Sequence, residues 1–274
     1  VSRIGTVLLR PPFPALGVEP GRTADPLEAR ELVRRDGAAI LTGLGRDEAA
    51  AEAVPGAVFG STVVAVPPAA EVRDGGVHDR RPVGLSRHTR LRSHTDGFAY
   101  GDAYPDHFLL LCSASSPDGG ESFLVDGDAL FEWLLTDPAT ASFAHRLETV
   151  PVEQTETGMR RSTSPLVGRS PSGRRMFRRF PDQRPADDSD APDADASMIA
   201  AWHQLIDDVS LFSPRFKLGP GEAVVVDNYR MFHAREAYAD PDRLMWRVWV
   251  WTTDGAGVPD GLLHSDSRYA GATP

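Results

Sequence analysis

Residues 221–238, GEAVVVDNYRMFHAREAY, decide how this chain folds. A glycine turn leads into Ala223–Val226, a valine-rich run that reads as a strand. Asp227-Asn228 ends the run with turn chemistry, and His233 lies a few residues beyond it. Next comes RLMWRVWVWTT from Arg243, which alternates Leu244, Trp246, Val248 and Val250 against Met245, Arg247, Trp249 and Trp251. That period of two describes a strand with two distinct faces.

Working upstream, HFLLLCS (107–113) reads as a buried strand. It is followed by the turn Ser116-Pro117-Asp118-Gly119-Gly120 and a further strand, ESFLVD (121–126), expected to pair with it. Asp126 and Asp128 are positioned to cap a short helix carrying Leu130, Trp133 and Leu134 on one face. PLEARELVRR (26–35) has helical spacing, Asp36-Gly37 ends it, and AAILTGL then reads as a strand, as does STVVAV (61–66). A Gly-rich charged loop occupies 70–84. PADDSDAPDADA (185–196) has no apolar period and is expected to form a loop or lid insertion over 181–197, before helical spacing resumes at Met198–Val209. The sum is one mainly β domain over 1–274 with flanking helices, a size at which all-β folds commonly stay undivided.

A net charge of −10 repels phosphate backbones, and only Arg174, Arg175, Arg178 and Arg179 form a basic run, so nucleic acid is excluded as a partner. Cys112 is the sole cysteine, which rules out an intramolecular disulfide and any Cys-based zinc site and suits a reducing compartment. The apolar patch Ile4–Leu9 is broken by Arg10, Pro11 and Pro12, too short for a membrane span. The expectation is a cytoplasmic protein acting on a small molecule. No oligomeric state is set by sequence, and a homodimer is compatible with it.

His94-Thr95-Asp96 places an imidazole and a carboxylate two apart, on one face if the segment is extended. Eight histidines and 39 acidic residues in 274 make about one such pair expected by chance. A second one, His264-Ser265-Asp266, is indeed present, in a polar tail with no histidine after it. His94-x-Asp96 differs because His233 follows a strand later in the chain. Two histidines and one carboxylate leave metal positions open, the arrangement non-heme Fe(II) uses, although zinc accepts the same ligands. Arg243, ten residues after His233, and Ser122 favour iron. A guanidinium and a hydroxyl suit the distal carboxylate of a keto acid, which a simple zinc hydrolase has no use for.

These residues resemble the taurine-dioxygenase-like (TauD/TfdA) superfamily, with its clavaminate synthase and carbapenem synthase relatives. The resemblance rests on HTDGFAY from His94, PDHFLLLC from Pro105, DGGESFLVDG from Asp118, GEAVVVDNYRMFHAREAY and DRLMWRVWV, spanning about residues 90 to 252. It implies a double-stranded β-helix, the cupin-like jelly roll, with Fe(II) held by His94, Asp96 and His233. It also implies 2-oxoglutarate and O2 as cosubstrates, with Arg243 on the distal carboxylate of 2-oxoglutarate. Ser122 stands where the family usually has threonine, and Ala234 where it usually has glycine. Because Asp96 is present, the resemblance argues against halogenation. The implied activity is a dioxygenase that hydroxylates a small polar, anionic or amino-acid-like metabolite while 2-oxoglutarate becomes succinate and CO2. The alternatives are a zinc-dependent hydrolase on the same ligands and a non-catalytic jelly-roll ligand-binding protein.

Further candidates for the substrate pocket are Arg247, four after Arg243 on the same strand face, Arg92, Phe98, Tyr100, Arg160 and Arg161. Against each stands a bland alternative: a salt bridge for Arg247, packing for the aromatics, solvated charge for Arg160 and Arg161. For Arg243 the alternative is a surface ion pair with Asp240 or Asp242. His107 reads as a hydrogen-bonded core or edge histidine, and Asn228 as the residue that fixes the turn before His233.

Overall fold

The computed structural model describes residues 2–4, 7–9, 15–73, 86–154, 162–261 and 263–266. Two β-sheets face each other. The smaller runs in the order Gly17–Val18, Ser122–Asp126, Met231–Arg235, Leu91–His94. The larger runs Gly21–Thr23, Ala38–Leu41, Ala223–Asp227, His107–Ala114, Leu244–Thr252, Val63–Ala65, with Ala70–Val72 also pairing on Leu244–Thr252.

The valine run shows why its sequence is continuously apolar. Val224 and Val226 point between the sheets with Phe108, Leu124, Met231, Met245 and Trp249, while Ala223 and Val225 point outward. There they meet two helices, α1 (Pro26–Asp36) and α2 (Glu48–Phe59), through Val33, Val54 and Val58. The Leu244–Thr252 strand divides as its alternation predicts: Met245, Trp249 and Trp251 pack inward, Val248 and Val250 outward. The outer face of the smaller sheet, with Val125 and Phe232, is covered by α3 (Gly127–Thr136), α4 (Pro138–Thr149) and α5 (Pro192–Ser210) around Trp202. Burying a side chain of the Leu or Phe class stabilises by about 1.5–3 kcal/mol. Both sheets, apolar on two sides, are therefore fixed in place.

Helix ends follow local chemistry. Asp25, Asp126 and Asp137 each accept a first-turn amide, and Gly37, at φ 83°, closes α1 and donates its N–H to Val33. Helix α2 is absent from the sequence reading: Pro55 lies inside it, and its apolar residues are mostly alanine and valine.

Three expectations are corrected. His107–Ala114 and Ser122–Asp126 do not pair, because both edges of each strand are already taken. The first bonds Ala223–Asp227 and Leu244–Thr252, the second Met231–Arg235 and Gly17–Val18. The turn between them, with Gly119 and Gly120 at φ 73° and 77°, carries the chain from one sheet to the other. Nor is 181–197 an uninterrupted loop: Arg184–Pro185 pairs with the Pro151–Glu153 strand, and Pro192 opens α5. Proline at N1 needs no amide donor, and acidic residues in a first turn favour the helix dipole, so a disorder-like composition here encodes a helix start. Asp195 is buried and accepts from Arg146 at 2.7 Å and from Ser189. The expected loop at 70–84 begins with the Ala70–Val72 strand, and its remainder from 74 lies outside the described residues.

Candidate metal centre

His94 and His233 are opposite residues of one antiparallel pair, and their rings stand 4.1 Å apart on the inner side of the smaller sheet. Asp96 follows His94 by one residue of loop. Gly97, at φ 79°, then turns the chain so tightly against Pro105 that a Cβ would meet Pro105 Cδ at 2.2 Å. Asn228 holds this segment from the other side: its side chain accepts from the Asp96 amide at 2.9 Å and donates to the carbonyls of Asp96 and Pro105. Asn228 therefore fixes the loop that carries Asp96, rather than the turn before His233.

Asp96 Oδ1 lies 3.5 Å from His94 Nε2 and 3.7 Å from His233 Nε2. One donor atom from each residue falls within a 4.8 Å group. Asp96 Oδ2 accepts from Trp249 Nε1 at 2.8 Å and faces Arg247 Nη1 at 3.4 Å. The His94 ring sits 2.9 Å, through Nδ1, from the Arg92 carbonyl, which makes Nδ1 the protonated nitrogen and leaves Nε2 with its lone pair.

Electrostatics fit the same use. Burial opposes ionisation of Asp96, but Arg247, His94 and His233 outweigh it and hold the carboxyl well below its usual range. Burial, reinforced by neighbouring His94, pushes His233 well below the ordinary imidazole range. The result is one carboxylate and a neutral imidazole, the forms in which these groups ligate a metal. His233 Nδ1 is buried without a hydrogen-bond partner among the described residues. This donor set suits a divalent ion of the iron, manganese or zinc type.

A cavity between the sheets contains this triad and, among its other walls, Phe108, Leu124, Ser122 and Arg243. Arg243 is buried, with its guanidinium over the Tyr238 ring at 4.8 Å. No ion pair joins it to any carboxylate among the described residues, so the surface pair with Asp240 or Asp242 is absent. Gly120 gives it room, since a Cβ there would stand 3.2 Å from Arg243 Nε. Ser122 reaches the same cavity from the Ser122–Asp126 strand.

The remaining candidates separate. Arg247 lines the cavity but its charge meets Asp96, so it serves a triad carboxylate directly. Arg92 does not enter the pocket. A bulge between the pairs His233↔His94 and Arg235↔Leu91 breaks the expected alternation and sends Arg92 to Asp207 on α5, 3.6 Å away. Tyr100 stacks edge-on against Trp249 and Trp251 and bonds the His264 backbone, which makes it packing rather than pocket wall. Phe98 opens the 3-10 helix Phe98–Ala103, and its side chain, like all of Arg160 and Arg161, lies outside the described residues. His107 sits 3.0 Å from Asp106 and tilts against Phe59, a core histidine as expected. Trp249 and Tyr238 were not singled out from sequence. For Trp249 the signal was available, because it lies two residues beyond Arg247 on the same strand face.

Among the described residues, no helix is long and apolar enough to cross a membrane. The family model "Taurine catabolism dioxygenase TauD, TfdA family" matches residues 12–249. Similar solved structures include an asparagine oxygenase in complex with Fe(II), (2S,3S)-3-hydroxyasparagine and succinate, at 18% identity and TM-score 0.58, covering 86% of this chain and 84% of that one. PvcB, an Fe, alpha-ketoglutarate dependent oxygenase from an isonitrile synthetic pathway, has 18% identity and TM-score 0.56 over 88% and 84%. A mutant of the non-heme iron oxygenase OrfP, in complex with (3S)-hydroxy-L-Arg, has 17% identity and TM-score 0.56 over 82% and 79%.

Proposed function

The chain belongs to the TauD/TfdA family of dioxygenases, and from that premise we propose that it is an Fe(II)- and 2-oxoglutarate-dependent oxygenase of a small polar metabolite. In this reading the facing sheets are a double-stranded β-helix forming a single domain. His94, Asp96 and His233 hold Fe(II), and Arg243 with Ser122 receives the distal carboxylate of 2-oxoglutarate.

The observation that carries the proposal is Arg243: a buried guanidinium, without a carboxylate partner among the described residues, in the same cavity as the His–Asp–His triad. A buried charge without a counter-ion costs several kcal/mol, roughly, and a bound dicarboxylate with its other end on the metal relieves that cost. A zinc hydrolase on the same ligands gives Arg243 nothing to do. When bound, Fe(II) with 2-oxoglutarate and O2 supplies the oxidising power, and 2-oxoglutarate leaves as succinate and CO2. The protein holds the ligands neutral or anionic as needed, anchors the cosubstrate and keeps the cavity walls apolar.

The finer reading is hydroxylation of an anionic or amino-acid-like compound. It is supported by relatives that carry hydroxyasparagine and hydroxyarginine. A substrate screen following succinate formation checks this part, and acceleration by neutral apolar compounds alone would overturn it.

The class is tested by an anaerobic visible spectrum of metal-free protein after Fe(II) and then 2-oxoglutarate. A charge-transfer band is expected with the wild type, is lost with His233→Ala and needs far more 2-oxoglutarate with Arg243→Ala. Bound iron without a band in the wild type would sink the proposal, leaving the hydrolase and non-catalytic readings.

A further inference from the structure

The family match stops at residue 249, yet the segment 263–266 returns to the core beside the triad. Ser265 is fully buried. On one edge of Leu244–Thr252, pairing to Ala70–Val72 ends at Arg247, and pairing to Val63–Ala65 begins at Trp251. Trp249 lies in the gap between them, and its backbone N–H donates to Ser265 Oγ at 3.1 Å. The Ser265 carbonyl accepts from Arg247 Nε at 2.9 Å. Tyr100 Oη fastens the preceding residue by accepting from the His264 amide at 2.9 Å.

Arg247 and Trp249 are the two residues whose side chains hold Asp96 Oδ2. We propose that the tail segment around Ser265 is a positioning element of the metal centre, setting Arg247 and Trp249 so that Asp96 presents Oδ1 alone to the ion. The tail acts through the two residues that restrain the carboxylate, and such outer partners typically change metal affinity about 10–100-fold. Arg247 has five N–H donors in a rigid fork, so fixing Nε also fixes the direction of Nη1 toward Asp96. This inference rests on His94, Asp96 and His233 being metal ligands.

The test is Mn(II) affinity, read from the electron paramagnetic resonance signal of the free ion. It is measured for the wild-type chain, Ser265→Ala and a chain ending at Gly261. Melting temperature is followed alongside, and the Fe(II)–2-oxoglutarate band is recorded for each. Truncation is expected to weaken Mn(II) binding about 10-fold and to move or broaden the band, with Ser265→Ala in between. Ser265→Thr, which keeps the hydroxyl, should bind more tightly than Ser265→Ala. Wild-type affinity and an unmoved band in a folded Ser265→Ala and in the truncated chain would overturn the inference while leaving the metal centre intact. If truncation prevents folding, Ser265→Ala alone decides. Failure of the wild type to bind Mn(II) would instead remove the metal-centre reading itself.

Discussion

His94 and His233 are paired residues of adjacent strands, and this register, more than any other single feature, makes the centre. Opposite residues of an antiparallel pair have Cβ atoms only about 4.5–5.5 Å apart, close enough for two imidazoles to share one ion. The pairing of Met231–Arg235 with Ser122–Asp126 on its other edge holds the register from behind. His233→Ala is therefore expected to abolish measurable Mn(II) or Fe(II) binding with little loss of fold, since it removes a ligand and no ladder bond. Calorimetric titration with Mn(II) checks it, and wild-type affinity would exclude His233 as a ligand.

Arg243 makes a prediction of opposite sign for the empty and the liganded protein. Removing a buried guanidinium that has no counter-ion among the described residues relieves desolvation, so Arg243→Ala without ligand should melt no lower than the wild type by more than the packing lost over Tyr238. With 2-oxoglutarate the variant should gain little stability, whereas the wild type gains RT ln(1 + [L]/Kd). Losing charge-assisted hydrogen bonds at about 1.5–3 kcal/mol each raises the apparent Kd at least 10-fold. Thermal melts with and without 2-oxoglutarate measure both halves; equal ligand stabilisation in the two proteins would rule out the clamp.

How much of this was legible in sequence depends on which interactions are local. The strands at 107–114, 223–227 and 244–252 read correctly because burial on one or both faces leaves a periodic trace. The three metal candidates were identifiable from spacing combined with the resemblance, and the structure brings them together. Arg92 misled because a bulge is invisible to period-two reasoning, and one extra residue reverses a side chain. The pairing of 107–114 with 122–126 misled because a tight glycine turn looks alike whether it joins neighbours or links two sheets. Asn228, clamping Asp96 across 132 positions of sequence, leaves no local trace at all.

Acid should destabilise the protein in two steps. Burial, helped by Arg179 and Arg92, lowers His203 to about 3, so it stays neutral when folded and protonates readily when unfolded. Its contribution is complete above the unfolded value of about 6.5 and is lost as pH falls from there toward 3. Asp106 is lowered to about 2: burial opposes its ionisation, and His107 and Thr252 more than compensate. Its contribution is present above about 3.9 and is lost as pH falls through about 2. Denaturant melts of His203→Gln across this range should show a shallower decline between pH 6.5 and 4 than the wild type. An unchanged slope would mean His203 is not the group that titrates.

Asp106 also predicts the cost of breaking a buried polar node that does not line the triad's cavity. It is fully buried, accepts from the amide and hydroxyl of Thr252 at 2.8 and 2.6 Å, and faces His107 and Arg174. Asp106→Asn keeps the shape but replaces one acceptor oxygen with a donor and leaves Arg174, among the described residues, only Asp227 as a carboxylate partner. Removing one partner of a buried pair costs about 3–5 kcal/mol, a large part of a typical domain's stability of roughly 5–15 kcal/mol. The expected result is a clear drop in the urea midpoint with an unchanged m-value, measured at pH 7, and Mn(II) affinity per folded molecule as in the wild type. A midpoint within error of the wild type would show that the Thr252 contacts tolerate the amide and that the charge on Asp106 is not what holds this end of the sheet.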